Sequence, residues 1–263
     1  MAQNDRAMTD EWRVLRALDV FHSLNLGCAE TDVRHPGWTL VKGDNEFEPA
    51  ALLFGQRPLV RIVAPYAQGG MARSGIAAVD ASAVQPVAGV LSAYSPSDLF
   101  TPEGLLTLHH MLHDQFDTVT AFPEAHATLQ YVSVSGFSAY VGQLQEWIER
   151  LDESTEADHA ALSLVARFNG GVYTIRARGA IASYAGIHLR SPHVAEITVC
   201  TPIASMRGAG LGRAVLSRAT RAALESGRVP LLRCPASQRS AIGMAEPLGY
   251  RPYAQSILYF AQA

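Results

Sequence analysis

The sequence predicts a mixed α/β protein. Short strand-like runs of apolar residues recur between segments whose apolar residues repeat at helical spacing. Of the 263 residues, 48% are hydrophobic and 17% are charged, so the chain can bury a large core. This length suits two domains, and we predict an N-terminal α/β region of unknown role at 1–120 and a second domain at 126–263.

The N-terminal region begins with an amphipathic helix at about 10–24, in which Val14, Leu18 and Phe21 share one face. Strands are predicted at 38–41, 58–64 and 75–79, and helices at 82–92 and 101–116. The last of these helices has a start signal, since Thr101 precedes a proline at the first helical position. The polar, proline-containing segment 117–125 is predicted to be the linker.

The second domain alternates strands and helices in a clear order. The predicted elements are a strand at 126–134, helices at 137–151 and 155–168, strands at 171–177, 179–189 and 193–201, a helix at 208–226, a strand at 229–234, a helix at 238–248, and closing strands at 250–253 and 256–261. Tyr140 and Trp147 fall on the first helix, and Trp147 is expected in the core.

A glycine-rich turn between a strand and a helix predicts an anion site. Gly208, Gly210 and Gly212 alternate with other residues just before a stretch with helical periodicity. The first N–H groups of a helix have no intrahelical partner, and the helix dipole adds partial positive charge there. Glycine lets an oxyanion approach these groups without a Cβ in the way. A diphosphate would suit three or four converging amides.

Three other readings of this turn are weaker. A P-loop requires a lysine and a hydroxyl residue after the last glycine, but Arg213 stands there. A dinucleotide-binding turn requires a different glycine spacing and an acidic residue after the next strand, where Arg233 and Cys234 stand. A surface turn without any ligand is the remaining alternative.

The segment from Arg207 to Gly212 resembles the R/Q-x-x-G-x-G/A turn of the GNAT acetyltransferase superfamily. The order of elements from residue 126 onward also resembles that family, as does "MAEPLGYRPY" at 244–253. The resemblance implies the GNAT fold, a mixed central sheet flanked by helices, over about 126–263. It leaves residues 1–120 open, and we hypothesise a degenerate GNAT-like half that lacks CoA binding, since Gly69 and Gly70 lack the motif's spacing.

The resemblance implies an acyl-CoA-dependent N-acyltransferase that uses acetyl-CoA as cosubstrate. The diphosphate would then lie on the amides of the turn, the pantetheine arm would pair with the preceding strand, and the last helix would contribute at its start. The residues carried over as cofactor-binding are Val199, Cys200, Thr201, Arg207, Gly208, Ala209, Gly210, Leu211, Gly212, Arg213 and Gln238. The strands on either side of the thioester would splay apart.

Acyl transfer to an amine requires a base, and Glu196 is the candidate because it lies on the strand beside the expected thioester. Its alternative role is a solvated or salt-bridged carboxylate. His188 and His193 are candidates to assist proton removal, or are plain surface residues.

The family's usual tyrosine acid falls on Ala245, and its asparagine on Gln238. Tyr250, Tyr253 and Tyr259 are substitutes that the spacing does not require. This departure keeps a rival function open, a non-catalytic acyl-CoA sensor or assembly module. Transfer of a longer acyl chain is a further alternative.

Composition limits the partners. The net charge of −3 gives no signature of a nucleic-acid binder, and Lys42 is the only lysine, so lysine chemistry is nearly excluded. Three scattered cysteines, a polar start and no long apolar run predict a cytoplasmic protein without membrane contact. The expected partner is a small-molecule or peptide amine acceptor, and the N-terminal region is expected to shape the acceptor site or a homodimer interface.

No metal is expected. The three histidines His109, His110 and His113 share one predicted helix, but no glutamate completes a metal motif, which favours a polar helix face.

Overall fold

The computed structural model describes residues 2–43, 56–67, 70–118, 125–151, 159–189 and 191–262. The α-helices are α1 (Ala2–Leu26), α2 (Val84–Ala93), α3 (Pro102–Gln115), α4 (His159–Arg167), α5 (Leu211–Glu225) and α6 (Arg239–Ala245). The strands are β1 (Gly37–Lys42), β2 (Gln56–Pro65), β3 (Ser74–Val79), β4 (His126–Tyr131), β5 (Ile148–Arg150), β6 (Val172–Ala177), β7 (Ala180–Leu189), β8 (Val194–Cys200), β9 (Val229–Pro235) and β10 (Arg251–Gln262). Short 3₁₀ turns occupy Glu30–Arg34, Ala81–Ala83, Asp98–Phe100, Gln143–Trp147, Ala204–Met206 and Glu246–Leu248.

Parts of three predictions fall outside the described residues. These are most of the predicted linker (119–124), the acidic start of the helix predicted at 155–168, and Gly69.

The chain divides into two compact units, each assembled from separated segments. The first, here called the glycine-turn unit, comprises Met1–Leu18, Gln130–Arg233 and Arg239–Arg251. The second unit comprises Asp19–Leu129, Cys234–Gln238 and Pro252–Ala263. The predicted division at 1–120 and 126–263 stays a prediction.

The glycine-turn unit contains a mixed sheet in the order β9-β8-β7-β6-β5. Strands β5 to β8 pair antiparallel, while β8 and β9 pair parallel. Helix α5 packs on β6, β7 and β8. Helix α4 belongs to a separate apolar cluster with the buried residues Leu151, Phe168 and Val172. The expected architecture, a mixed sheet flanked by helices, is confirmed.

The second unit also has a mixed sheet, with strand order β1-β3-β2-β10. Its outer pair β1 and β3 is parallel, and the other two pairs are antiparallel. Apolar residues of β2 and β3, such as Leu59 and Val79, form one core with Val87 of α2 and Leu108 of α3. The exposed Lys42 ends strand β1, opposite Val79.

The prediction of a helix at 137–151 is wrong. Its apolar residues repeat at helical spacing, but the segment forms a 3₁₀ turn at Gln143–Trp147 followed by strand β5. The backbone N–H of Tyr140 donates to the Ser217 hydroxyl of α5 (2.9 Å), and Gly142 is fully extended (φ 172°, ψ 165°), so a helical ladder cannot form here. Trp147, expected in the core, is 62% exposed.

The two closing strands predicted at 250–253 and 256–261 are one strand, β10. The register of β10 against β2 runs continuously from Ala254 and shifts only between Tyr259 and Phe260. Ala254 and Gln255, which separate the two predicted strands, are ordinary members of the ladder.

None of the described helices combines the length and apolarity that crossing a bilayer requires.

Candidate anion-binding site at the glycine turn

The glycine turn links β8 to α5 in the glycine-turn unit. After Cys200 the chain forms the 3₁₀ turn Ala204–Met206 and then enters α5 at Leu211. Gly208 (φ +83°) and Gly210 (φ +81°) both adopt the left-handed region. Residues with a Cβ are strained there, so these two positions require glycine to shape the turn.

Gly212 is needed for close packing and not for a left-handed backbone conformation. A Cβ atom at this position would lie 2.8 Å from Met244 Sδ, 3.5 Å from Thr201 Oγ1 and 3.7 Å from Val199 Cγ1. The missing side chain lets the first turn of α5 lie close to β8 and α6. The three glycines look alike in the sequence, but glycine is required at these positions for two different structural reasons.

The start of α5 is open to an anion. Gly210 is the N-cap and has no side chain that could accept from the first-turn N–H groups, and that turn contains no acidic residue. The N–H groups of Leu211, Gly212 and Arg213 therefore lack intrahelical partners. Arg207, Gly208 and Ala209 are exposed. The combination of free donors and helix dipole favours an oxyanion here.

Polar contacts hold the loop before the turn. Arg207 Nε donates to the Thr201 carbonyl oxygen (3.1 Å), and the hydroxyls of Thr201 and Ser183 lie 3.0 Å apart. Ser183, on β7, is fully buried and also donates to the Cys200 carbonyl oxygen (3.2 Å). Arg207 thus shapes the loop through its side chain, a role that the sequence analysis did not assign.

Strands β8 and β9 stop pairing before either strand ends, since β8 continues to Cys200 and β9 to Pro235. Their parallel ladder begins at Val194↔Val229 and ends at Ile197↔Leu232. On the other side, β8 stays paired with β7 as far as Cys200. Thr198, Val199 and Cys200 consequently reach beyond the β9 ladder, at the end of the strand that leads to the glycine turn. This is the local divergence that an added extended segment would need.

Glu196 lies on the opposite face of β8 from Val199, because side chains alternate along a strand. It is half-buried and directly opposite His188 of β7. The His188 ring packs against the buried Phe168, with ring centroids 4.5 Å apart. His193, the other candidate, is exposed in the turn before β8. The structure thus brings Glu196 together with His188 rather than with His193.

Tyr184 belongs to the same face and was missed by the sequence reasoning. It stands directly opposite Cys200 in the β7–β8 register. Burial, followed by the neighbouring thiol, raises the pKa of the Tyr184 hydroxyl. The signal that could have found it is the hairpin register, since pairing His188 with Glu196 also pairs Tyr184 with Cys200.

The tyrosines considered as acids are engaged elsewhere. Tyr250 is buried, and its hydroxyl lies 2.7 Å from Thr220 Oγ1 of α5. In the second unit, the Tyr253 hydroxyl donates to Asp19 (2.8 Å), and the Tyr259 hydroxyl lies 2.9 Å from His109 Nδ1. Burial raises the pKa of Tyr253, and that of Tyr259 to about 12.

The two departures from the family pattern lie at opposite ends of α6. Ala245, onto which the resemblance places the family's tyrosine, is the last residue of the helix and is fully buried. Gln238 is exposed just before the helix and is counted in the second unit, so its cofactor role stays a prediction.

The histidines of α3 contact hydroxyls. Besides the bond from His109 to Tyr259, His113 Nε2 lies 2.7 Å from Thr118 Oγ1. Burial and the neighbouring histidines lower the pKa of His109. Across the described ranges, no group of three or more His, Cys, Asp or Glu side chains could hold a metal ion.

Residues 138–250 match the family described as the Acetyltransferase (GNAT) family, a region that includes β5 to β9, α4 to α6 and the glycine turn. No curated protein matches the chain.

Solved structures with similar folds include an acetyltransferase of the GNAT family from Novosphingobium aromaticivorans, with 24% identity over 62% of this chain and 82% of that chain (TM-score 0.44). A GCN5-related N-acetyltransferase from Kribbella flavida is similar at 16% identity over 83% and 94% of the two chains (TM-score 0.45). The yncA protein of Salmonella typhimurium, solved with acetyl-CoA, is similar at 21% identity over 43% and 77% (TM-score 0.31).

Proposed function

We propose that the protein transfers an acetyl group from acetyl-CoA to an amine, on the premise that residues 138–250 match the Acetyltransferase (GNAT) family. The acceptor is a small molecule or a peptide with a free amino group. The observation that carries the proposal is the open helix start after Gly210, which offers backbone donors to a diphosphate without a competing carboxylate in its first turn.

The residues present fit the donor. The N–H groups of Leu211, Gly212 and Arg213 stand where a diphosphate would be held, and the space beside Gly208 contains no atom within 4 Å of a Cβ position. Beyond the β9 ladder, Thr198 to Cys200 offer strand backbone to the pantetheine arm. These contacts would deliver the thioester along β8 toward Glu196.

Glu196 is proposed to act as general base. A neutral amine attacks the thioester carbonyl carbon, the carbon–sulfur bond breaks, and CoA leaves as the thiolate. The ammonium proton passes to Glu196 directly or through water. His188, opposite Glu196 and supported by Phe168, lies beside this carboxylate in the register.

Calorimetry with CoA and acetyl-CoA tests the donor site, and release of free thiol from acetyl-CoA with a panel of amines tests the reaction. The proposal predicts binding of both ligands and amine-dependent thiol release. A folded protein that binds neither ligand would contradict it.

A second candidate, an acyl-CoA sensor without turnover, is favoured by one specific observation. The position of the usual acid is the fully buried Ala245, and the Tyr250 hydroxyl is engaged by Thr220. Tight CoA binding combined with no thiol release across a broad amine panel would support the sensor, whereas amine-dependent thiol release supports the enzyme.

A further inference from the structure

Tyr140 lies against the start of α5 in the glycine-turn unit. Its ring faces the guanidinium of Arg213, whose Cζ is 5.8 Å from the ring centroid. Arg213 is the third residue of α5 and half-buried.

The position of Arg213 is electrostatically unfavourable by itself. A cation in the first turn of a helix opposes the helix dipole, which favours anions there. No carboxylate balances Arg213 in that turn, and within the described ranges it forms no ion pair. The face of an aromatic ring offers a cation partial compensation. A diphosphate arriving at the same helix start would supply the missing negative charge.

The Tyr140 ring is itself fixed from two sides. Its backbone N–H donates to the Ser217 hydroxyl, which is buried on α5 (2.9 Å). Gly142 leaves room for the ring, because a Cβ atom there would lie 2.5 Å from the Tyr140 hydroxyl oxygen. The next turn of the segment is also close, since Leu144 Cδ1 would lie 3.7 Å from a Cβ on Gly210.

We propose that Tyr140 is a positioning residue that holds the Arg213 guanidinium at the start of α5, ready to contact the diphosphate of the acyl donor. The inference rests on the proposed function. Since the guanidinium carries five donors in a planar fork, a fixed orientation lets it bind a phosphate through two hydrogen bonds. Without the ring, the same side chain is freer and binds less tightly.

A double-mutant cycle on CoA affinity tests this role. Arg213→Gln is expected to weaken CoA binding about tenfold, the loss of one charge-assisted contact. Tyr140→Leu should weaken it several-fold, but should add nothing in the Arg213→Gln background, because it acts only through Arg213. Tyr140→Phe keeps the ring and should bind like the parent.

Helix α5 provides a matched control. Arg218, one turn and a half further along, lies 5.6 Å from the Tyr173 ring centroid in the same kind of contact. Arg218→Gln removes an equal charge away from the helix start and should leave CoA affinity unchanged. Dephospho-CoA, which keeps the diphosphate but lacks the 3′-phosphate, should show the same loss with Arg213→Gln.

The outcomes separate the inference from the proposed function. If the parent protein binds no CoA, the proposed function fails. If the parent binds CoA but the losses from Tyr140→Leu and Arg213→Gln simply add, Tyr140 has no positioning role. A loss that disappears with dephospho-CoA overturns the assignment to the diphosphate. If Tyr140→Leu does not fold, Tyr140→Met replaces it in the same cycle.

Discussion

Glu196 on β8 and His188 on β7 stand directly opposite each other in an antiparallel ladder. Directly opposed side chains have Cβ atoms about 4.5–5.5 Å apart, so a carboxylate and an imidazole in these positions lie within contact range. The Phe168 ring packs against this imidazole, with ring centroids 4.5 Å apart. This relationship makes the pair the natural place to test the chemistry.

Replacing Glu196 by Gln should lower the rate of acetyl transfer about 10²- to 10⁴-fold, the usual contribution of a general base. CoA affinity should stay unchanged, because the side chain lies on the opposite face of β8 from the glycine turn. Steady-state kinetics and calorimetry measure the two effects separately. A variant as fast as the parent would remove Glu196 from the mechanism.

Replacing Gly210 by Val should weaken CoA binding at least about tenfold, because a β-branched residue resists φ +81° and displaces the helix-start donors. Gly227 provides the control, since it has φ +75° just after the other end of α5 and open space around it. Gly227→Val should cost similar stability, about 1–3 kcal/mol, and leave CoA affinity intact. Equal affinity in both variants would refute the anion site.

Replacing Gly212 by Ala should destabilise the fold by no more than about 1 kcal/mol, because the new methyl group meets Met244 Sδ on a flexible side chain that can move, and alanine favours a helix over glycine. In a Met244→Ala background the same change should cost much less, since the obstructing side chain is gone. Denaturant unfolding of the single and double variants gives the coupling energy. Additive costs would show that Met244 does not set the requirement for glycine.

Replacing Tyr250 by Phe should lower stability by about 1 kcal/mol, the usual net contribution of one hydrogen bond. Thr220 keeps a partner, because its hydroxyl also donates to the Leu216 carbonyl oxygen. Turnover should be unaffected if this hydroxyl is structural. A large fall in rate with normal stability would instead identify Tyr250 as the acid for the departing thiolate.

His22 should make stability depend on pH. It is 1% exposed in the second unit, its ring nitrogens have no hydrogen-bond partner among the described residues, and its ring stacks on Tyr253. Burial, followed by the charges of Arg61 and Arg34, holds its pKa well below 6.5. Asp19 faces the cluster too, but it is engaged by Arg34 and by the Tyr253 hydroxyl.

The sign follows from linkage. Below pH 6.5 the unfolded chain protonates His22 while the folded chain does not, so the stability present above pH 6.5 is lost as the pH falls. The loss in the free energy of unfolding that His22 causes approaches about 1.4 kcal/mol per pH unit. His22→Phe should remove this part of the slope when unfolding is followed between pH 7.5 and 5. An unchanged slope would mean that His22 is accessible to protons in the folded protein.

The sequence predicted the strands of the glycine-turn unit well. The three strands predicted between 171 and 201 are each confirmed within one residue at either end, because their apolar residues form clear runs bounded by turns. The helix predicted at 208–226 is also confirmed, as α5, although the first three residues form the turn that caps it. Local patterns were sufficient where local structure and packing agree.

Tertiary contacts decided the rest. The apolar residues between Tyr140 and Trp147 have helical spacing. A helix does not form there, because the Tyr140 N–H donates to Ser217 of α5 and Gly142 is extended. The requirement for glycine at Gly212 comes from packing against Met244, which is 32 residues away in the chain and lies outside the glycine motif. Tyr184 could be placed opposite Cys200 only from the register of the β7–β8 hairpin, which composition does not supply.

Lys42, exposed at the end of β1, is the only lysine of the chain. Should the protein acetylate itself when no acceptor is present, mass spectrometry would find at most one modified side-chain amine, and Lys42→Arg would leave the N-terminal amine as the sole internal target. With a single lysine of its own, the protein would contribute little self-modification to a screen for the proposed amine acceptor.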